Sequence, residues 1–268
     1  MGAMKTSLIL AGALAAGLTL PAAAADLLPP LPEMPGPVAP IAEVGTGWYL
    51  RGDIGYVDYA KPDEAPFNAA TVPPLDNLAL ENTWSVGVGV GYKLNAWLRA
   101  DVTADYRTTA GFRAFSSGTG YTGGYSVDHA DLESTTILAN GYLDLGTFYG
   151  FTPYVGAGVG VAVNQFSNYN WQVYLLPGPT AGAAGTIPGD TRTNFAWALM
   201  AGTAVEMGRG LALDVGYRYV NLGSVQTKRD AALIGTKLKD LDAHEVRVGL
   251  RWMFGQPVVE SGPISRAF

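Results

Sequence analysis

The feature that most restricts this chain is an alternation that ends in "HEVRVGLRWMF", His244 to Phe254. Val246, Val248, Leu250, Trp252 and Phe254 take every second position, with Glu245, Arg247, Gly249, Arg251 and Met253 between them. Successive side chains of a strand point to opposite faces, so the segment has one apolar face and one charged face. A soluble barrel turns the charged face to water and a membrane barrel turns it to its own lumen. Which arrangement holds decides the class of protein.

The same period returns after Gly47. "WYLRGDIGY" sets Trp48, Leu50, Ile54 and Tyr56 against Tyr49, Arg51, Asp53 and Gly55, and "WSVGVGVGY" sets Trp84, Val86, Val88, Val90 and Tyr92 against Ser85, Gly87, Gly89 and Gly91. "LRADVTADY", "PYVGAGVGVAV", "NFAWALMAGTAVE" and "LALDVGYRY" repeat the pattern. "LESTTILANGYLDL" from Leu132 also fits, although Leu138 and Tyr142 then fall on its polar face. With the closing segment the total is eight strands, an even number as an up-and-down barrel requires. Short links are expected around Lys93–Ala96, Gly146–Gly150 and Gly208–Gly210, and long ones over Ala60–Thr83, Thr108–Ala130, Phe166–Thr193 and Asn221–Ala243. Short turns at one end and long loops at the other are the mark of an outer-membrane barrel.

The first residues, "MGAMKTSLILAGALAAGLTLPAAAAD", combine Lys5, an apolar core from Leu8 to Leu20 and an A-x-A site at Ala23–Ala25. They predict a signal peptide over 1–25, cleaved after Ala25. Residues 26–46 carry Pro29, Pro30, Pro32, Pro35, Pro37 and Pro40 and read as an extended periplasmic spacer. No other run reaches the roughly 18 apolar residues of a spanning helix. The barrel is expected over 47–254, followed by a tail over 255–268. The full chain carries a formal charge of −6 with 17 basic and 23 acidic residues; without Lys5 the balance is 16 − 23 = −7. That excess argues against a nucleic-acid partner, and the absence of cysteine rules out disulfides and thiolate metal sites.

Three observations turn the charges inward. Trp and Tyr mark the ends of the apolar stripes, as interfacial girdles require. The polar face carries Gly87/Gly89/Gly91 and Gly156/Gly158/Gly160, and empty positions suit a narrow interior crowded with long side chains. That face is also balanced, with Arg51, Arg99, Arg107, Arg218, Arg247 and Arg251 against Asp53, Asp101, Asp105, Asp214, Glu206 and Glu245. Facing lipid, each arginine near the midplane would cost about 2–4 kcal/mol. A soluble lipocalin-like barrel, the competing architecture, explains the period but not the glycine rows or the aromatic ends.

"GWYLRGDIGY", "TPYVGAGVGVA", "GYRYVNLG" and "HEVRVGLRWMF" resemble small alphaproteobacterial outer-membrane surface antigens of the brucella and rhizobium type, within the OmpA-like and opacity-protein group. The resemblance spans about Gly47 to Phe254. It implies an all-β, eight-stranded antiparallel transmembrane barrel in the cell outer membrane, with short periplasmic turns and long extracellular loops. Arg247, Gly249, Trp252 and Phe254 are similar to the terminal signal read by the barrel-assembly machinery. The extra "GQPVVESGPISRAF" departs from the family, which usually stops at the terminal aromatic.

Some barrels of this size act on lipid A, and hydrolysis there would need a nucleophile, a base and an orienting group. His129 has Ser126 and Asp128 nearby but sits in a Gly-rich loop, and His244 and its neighbour Glu245 face opposite sides. No catalytic, cofactor-binding or metal-ligating residue is therefore assigned. The expected function is a non-enzymatic surface and structural role with a charge-filled lumen, in contact with outer-membrane lipid and lipopolysaccharide; the alternative is a narrow porin-like channel. Lys228, Arg229, Lys237 and Lys239 could meet lipopolysaccharide phosphates, although Asp230, Asp240 and Asp242 favour a merely solvated loop.

Overall fold

Strand β1 (Trp48–Tyr59) pairs with β2 (Thr83–Lys93) on one side and with β8 (Asp242–Met253) on the other, and that second pairing closes a barrel. The computed structural model describes residues 47–64, 75–117, 124–175, 180–229 and 235–254. Between β2 and β8 run β3 (Leu98–Ser117), β4 (Gly124–Asp144), β5 (Phe151–Leu175), β6 (Asp190–Gly208) and β7 (Leu211–Asn221), each antiparallel to its neighbours in sequence. The expected eight-stranded up-and-down barrel is what the chain forms. The expected signal peptide, Pro-rich segment and tail lie outside the described residues.

Three connections are short: Leu94–Trp97, Leu145–Gly150 and Arg209–Gly210. Asn95 shapes the first, its Oδ1 accepting the N–H groups of Trp97 and Leu98 at 2.8 Å each. The last is a tight reversal in which Gly208, Arg209 and Gly210 all have positive φ, of 86°, 55° and 75°. Glycine carries that geometry at little steric cost.

The opposite end differs from expectation. Thr108–Ala130 and Phe166–Thr193, expected as loops, are largely strand: β3 and β4 stay paired as far as Ser117↔Tyr125, and β5 runs on to pair with a short strand, Thr180–Ile187. His129 consequently lies within β4, not at a loop tip. These ribbons have polar residues on both faces, so hydropathy alone does not separate them from loop.

The faces fall as the alternation requires. Leu50, Ile54, Val86, Val88, Val90, Val102, Ile137, Val159, Leu199, Val246, Val248 and Leu250 are exposed on the outside. Inside lie Arg99, Arg107, Arg218, Arg247, Arg251, Asp53, Asp101, Asp105, Asp214 and Glu245, all buried. A lipocalin-like barrel would reverse these sides and is ruled out. Leu138 and Tyr142 do point inward with the polar set and are buried. Glu206 keeps the lumen parity, opposite buried Ala212 and 3.8 Å from Arg251, but it sits at the short-turn end of β6 and its side chain is 51% exposed at the rim.

Aromatic pairs bracket the apolar band. Trp48–Tyr92 and Trp252–Phe254 meet at 5.3 and 4.7 Å toward the short-turn end, and Tyr56–Trp84 and Trp197–Tyr219 at 5.4 and 5.3 Å toward the other. From Trp48 to Tyr56 the strand takes eight steps. At ~3.3 Å per residue and a ~40° tilt that spans ~20 Å, close to the ~25 Å band of an outer-membrane barrel.

Candidate functional site

Among the described residues the interior has two zones, both filled by side chains. Through the middle and toward the short-turn end runs a continuous chain of ion pairs. Glu245 sits between Arg107 and Arg218 at 2.7 and 2.5 Å, and Arg218 reaches Asp105 at 2.8 Å. Asp105 also meets Arg247 at 2.5 Å, Arg247 meets Asp53, and Arg51 joins Asp53 to Asp101 at 3.2 Å each. Strands β3 and β7 stand four apart in a ring of eight, so the Arg218–Asp105 pair crosses the full bore. Four arginines thus alternate with four carboxylates.

Glycine makes this possible. A methyl group on Gly87 would land on Asp105, Arg247 and Asp53, and one on Gly156 would strike the Tyr142 ring. Hydrogen bonds complete the lattice: Asp101 accepts from Tyr49 at 3.0 Å, from Asn140 at 2.8 Å and from Tyr142 at 3.3 Å. Near the short-turn end Arg99 pairs with Asp144 at 2.9 Å and lies between the rings of Tyr142 and Tyr154, 4.4 and 4.5 Å from their centroids. Arg251 is held more loosely, 3.6 Å from Asp214 and 3.8 Å from Glu206. A void of about 20 Å³ among Arg51, Asp214, Gly216 and Arg247 is the size of one or so water molecules.

Toward the long-loop end the interior turns largely apolar. Val57, Tyr59, Phe112, Leu132, Leu138, Phe166, Val220 and Ala243 pack with Leu75, Leu78, Leu222, Val225, Leu238 and Leu241 from the flanking loops. A small sheet of Val225–Gln226, Lys237–Lys239 and Asp63–Glu64 lies over this core, and Asn164 Nδ2 donates to the Leu222 carbonyl at 2.8 Å. The charge-filled lumen expected from the sequence describes the middle and the short-turn end, and the long-loop end adds an apolar zone. The loop leucines are scattered singly, and only the folded loops bring them together.

Within this cap, Asp128 accepts hydrogen bonds from Tyr169 Oη at 2.6 Å and Ser126 Oγ at 2.9 Å, and Thr236 Oγ1 donates to Tyr169 Oη at 3.1 Å. Burial pushes the Asp128 carboxyl above the ordinary carboxylate range, against the lowering effect of those hydrogen bonds. Glu64 is raised for the same first reason. Ser126 and Asp128 point inward while His129 is exposed on the other face, so the three do not assemble a nucleophile and base. His244 faces outward to Tyr217, whose Oη lies 2.6 Å from Nδ1, while Glu245 faces the lumen. Lys228, Arg229 and Lys239 are exposed and Lys237 is half-buried; Asp242 accepts from Asn221 at 2.6 Å, Asp240 is exposed, and Asp230 lies outside the described residues.

The profile of the family described as "Outer membrane protein beta-barrel domain" matches residues 10–254. The chain belongs to that family. Its place is accordingly the outer membrane, where the apolar outer face meets lipid. An uncharacterized protein of Brucella abortus is 32% identical to this family member over 277 residues, covering 87% of this chain and 93% of the relative. A candidate adhesin of Rickettsia typhi is 27% identical over 213 residues, covering 76% and 87%. Among solved structures, Neisserial surface protein A aligns at TM-score 0.44 and 19% identity, over 78% of this chain and 97% of the other.

Proposed function

We propose that this barrel is a closed, non-enzymatic surface protein of the outer membrane, with its long hairpins outside the cell. The observation that carries the reading is the double seal: an ion-pair chain across the bore, backed by a largely apolar cap. Among the described residues both zones are filled by side chains, and the polar void beside Arg51 and Asp214 has room for little more than one water. The name of the Rickettsia relative is in keeping with a surface role. Lys228 and Lys239, exposed at the long-loop end, would lie in reach of lipopolysaccharide phosphates.

Recording from purified protein in planar lipid bilayers tests the seal. No discrete current steps are expected; steps that change selectivity in Arg218→Leu would establish the channel reading instead. Orientation is tested by cysteines at the exposed positions Ala183, Lys228, Asn95 and Arg209. A membrane-impermeant maleimide should label the first two on intact cells and spare the last two; the reverse pattern overturns the topology.

A further inference from the structure

Where β5 leaves β6 and goes on to pair with Thr180–Ile187, the outer face carries a polar cleft of about 390 Å³. Gln165, Ser167, Gly189, Asp190, Thr191 and Lys228 line it, while Phe166 turns its ring away into the core. Three chain segments make its walls. Gln165 and Thr191 face each other across β5 and β6, and Gly189 lies so close to β5 that a methyl group there would strike the Phe166 carbonyl. Lys228 N–H donates to the Pro188 carbonyl at 2.9 Å, beside the Gly189↔Thr227 bridge, and so the third segment is fixed against the second.

The cleft sits where the outer face changes character. Val159, Val161 and Val163 on β5 and Phe195 on β6 are exposed to the acyl layer, and Gln165 and Thr191 follow on the same faces. From Phe195 to Thr191 the strand takes four steps. At ~3.3 Å per residue and a ~40° tilt, that places the cleft ~10 Å above the apolar band. Its charge is one-sided. Asp190 accepts from Arg192 Nε at 3.3 Å and from Gln226 Nε2 at 3.2 Å, whereas exposed Lys228 has no ion pair among the described residues. Gln165 and Thr191 are exposed and Ser167 is half-buried, so an amide and two hydroxyl groups are open to a ligand beside the ammonium.

We infer that this cleft binds the phosphorylated sugar headgroup of a lipopolysaccharide molecule in the surrounding outer leaflet. The lipid-facing surface of the barrel runs straight up into the cleft, so the group that meets it is the headgroup of a lipid whose chains lie against Val163 and Phe195. Lys228 supplies the point charge that a phosphate takes, and Gln165, Ser167 and Thr191 supply donors and acceptors for sugar hydroxyls. The volume lies within the range of small-molecule sites, about 300–1,000 Å³. A contact bridged by a divalent cation fits less well, because Asp190 is the one carboxylate lining the cleft and is already held by Arg192 and Gln226. The inference deepens the lipopolysaccharide contact proposed above and rests on the long-loop end lying outside the cell.

The probe is lipopolysaccharide stripped of its acyl chains but keeping its phosphates, so that partition into detergent does not count as binding. It is titrated into the full folded chain in non-ionic micelles, and backbone amide shifts are followed by NMR. Saturable shifts are expected at Gln165, Ser167, Gly189 and Thr191. Lys228→Gln and a dephosphorylated probe should each weaken binding by about tenfold or more, because each removes a charge-assisted contact. Asp190→Asn removes the negative charge of the cleft and should tighten binding by about threefold while the barrel strands keep their shifts, a gain that a merely structural role would not give. Absence of saturable shifts, shifts confined to Lys239, unchanged affinity in Lys228→Gln, or equal affinity for inorganic phosphate overturns the inference. So does binding that EDTA abolishes, which would assign the contact to a bridging divalent cation. The assay does not depend on orientation in the cell, so a failed cleft and a failed topology give different results.

Discussion

Replacing Glu245 by glutamine tests the sealed lumen most directly. Glu245 is fully buried and holds Arg107 and Arg218 at 2.7 and 2.5 Å. Glutamine keeps the shape and removes the charge, leaving four arginines against three carboxylates in the chain of pairs. Arg218 retains Asp105, but Arg107 keeps only neutral hydrogen-bond partners, the new amide and Thr136 at 3.2 Å, with Asp105 acting on it at longer range. Removing one partner of a buried pair costs about 3–5 kcal/mol, because the other charge stays in a poorly solvated site. Glu245→Gln belongs at the upper end of that range. Arg218→Leu belongs near the lower end, about 3 kcal/mol, since Asp105 keeps Arg247 and Glu245 keeps Arg107. The double variant restores three charges of each sign. Its cost should therefore fall short of the sum by about 1–3 kcal/mol. Urea titration in detergent micelles, followed by tryptophan fluorescence and by the mobility of unboiled protein on gels, measures all three variants. Exposed Lys228→Gln sets the baseline at about 0–1 kcal/mol. Additive losses no larger than that baseline would mean that the lumen charges are solvated independently, and the sealed barrel would be wrong.

Two strand glycines should respond oppositely to alanine. Gly87→Ala places a methyl on Asp105, Arg247 and Asp53 and should destabilise by about 1–3 kcal/mol, whereas Gly141 has nothing within 4 Å of an added Cβ and Gly141→Ala should be neutral or stabilising in the same titration. Phe254→Ser should lower outer-membrane levels in fractionated cells far more than deletion of Gly255–Phe268, because Trp252 and Phe254 form the terminal aromatic pair at 4.7 Å. Asp128 has a raised folded-state pKa, so the folded cap binds its proton more tightly than the unfolded chain does. Its contribution is full below the unfolded carboxylate range and is lost as pH rises through the folded pKa. Amide exchange at Tyr169 and Thr236 should thus be slower, after correction for intrinsic rates, at pH 4 than at pH 7. Asp128→Asn should flatten that difference, leaving the part due to Glu64, which faces the same cluster; exposed His129, on the other face, lowers the Asp128 shift and does not reverse it.

Strand number, facing and the position of both girdles were legible without coordinates, because each is a local property. Alternation along nine or so residues with one face in lipid and one in a polar lumen leaves a strong period-2 signal, as in Val246 to Trp252. The inward turn of the arginines followed from the cost of placing them in lipid. Three matters were settled only by the tertiary structure. Which arginine meets which carboxylate depends on the summed registers of strands as far apart as β3 and β7, and no local pattern carries that sum. The extension of β3, β4 and β5 past the girdle leaves little signal because residues such as Ser126, Val127, Asp128 and His129 put polar side chains on both faces, which weakens the contrast. The apolar cap is assembled from Leu75, Leu222, Val225, Leu238 and Leu241, spread across loops that come together only once the barrel beneath them has closed. Glu206 reads correctly as a lumen charge from its parity, but its exposure depends on how close the end of β6 lies to the rim, which parity does not measure.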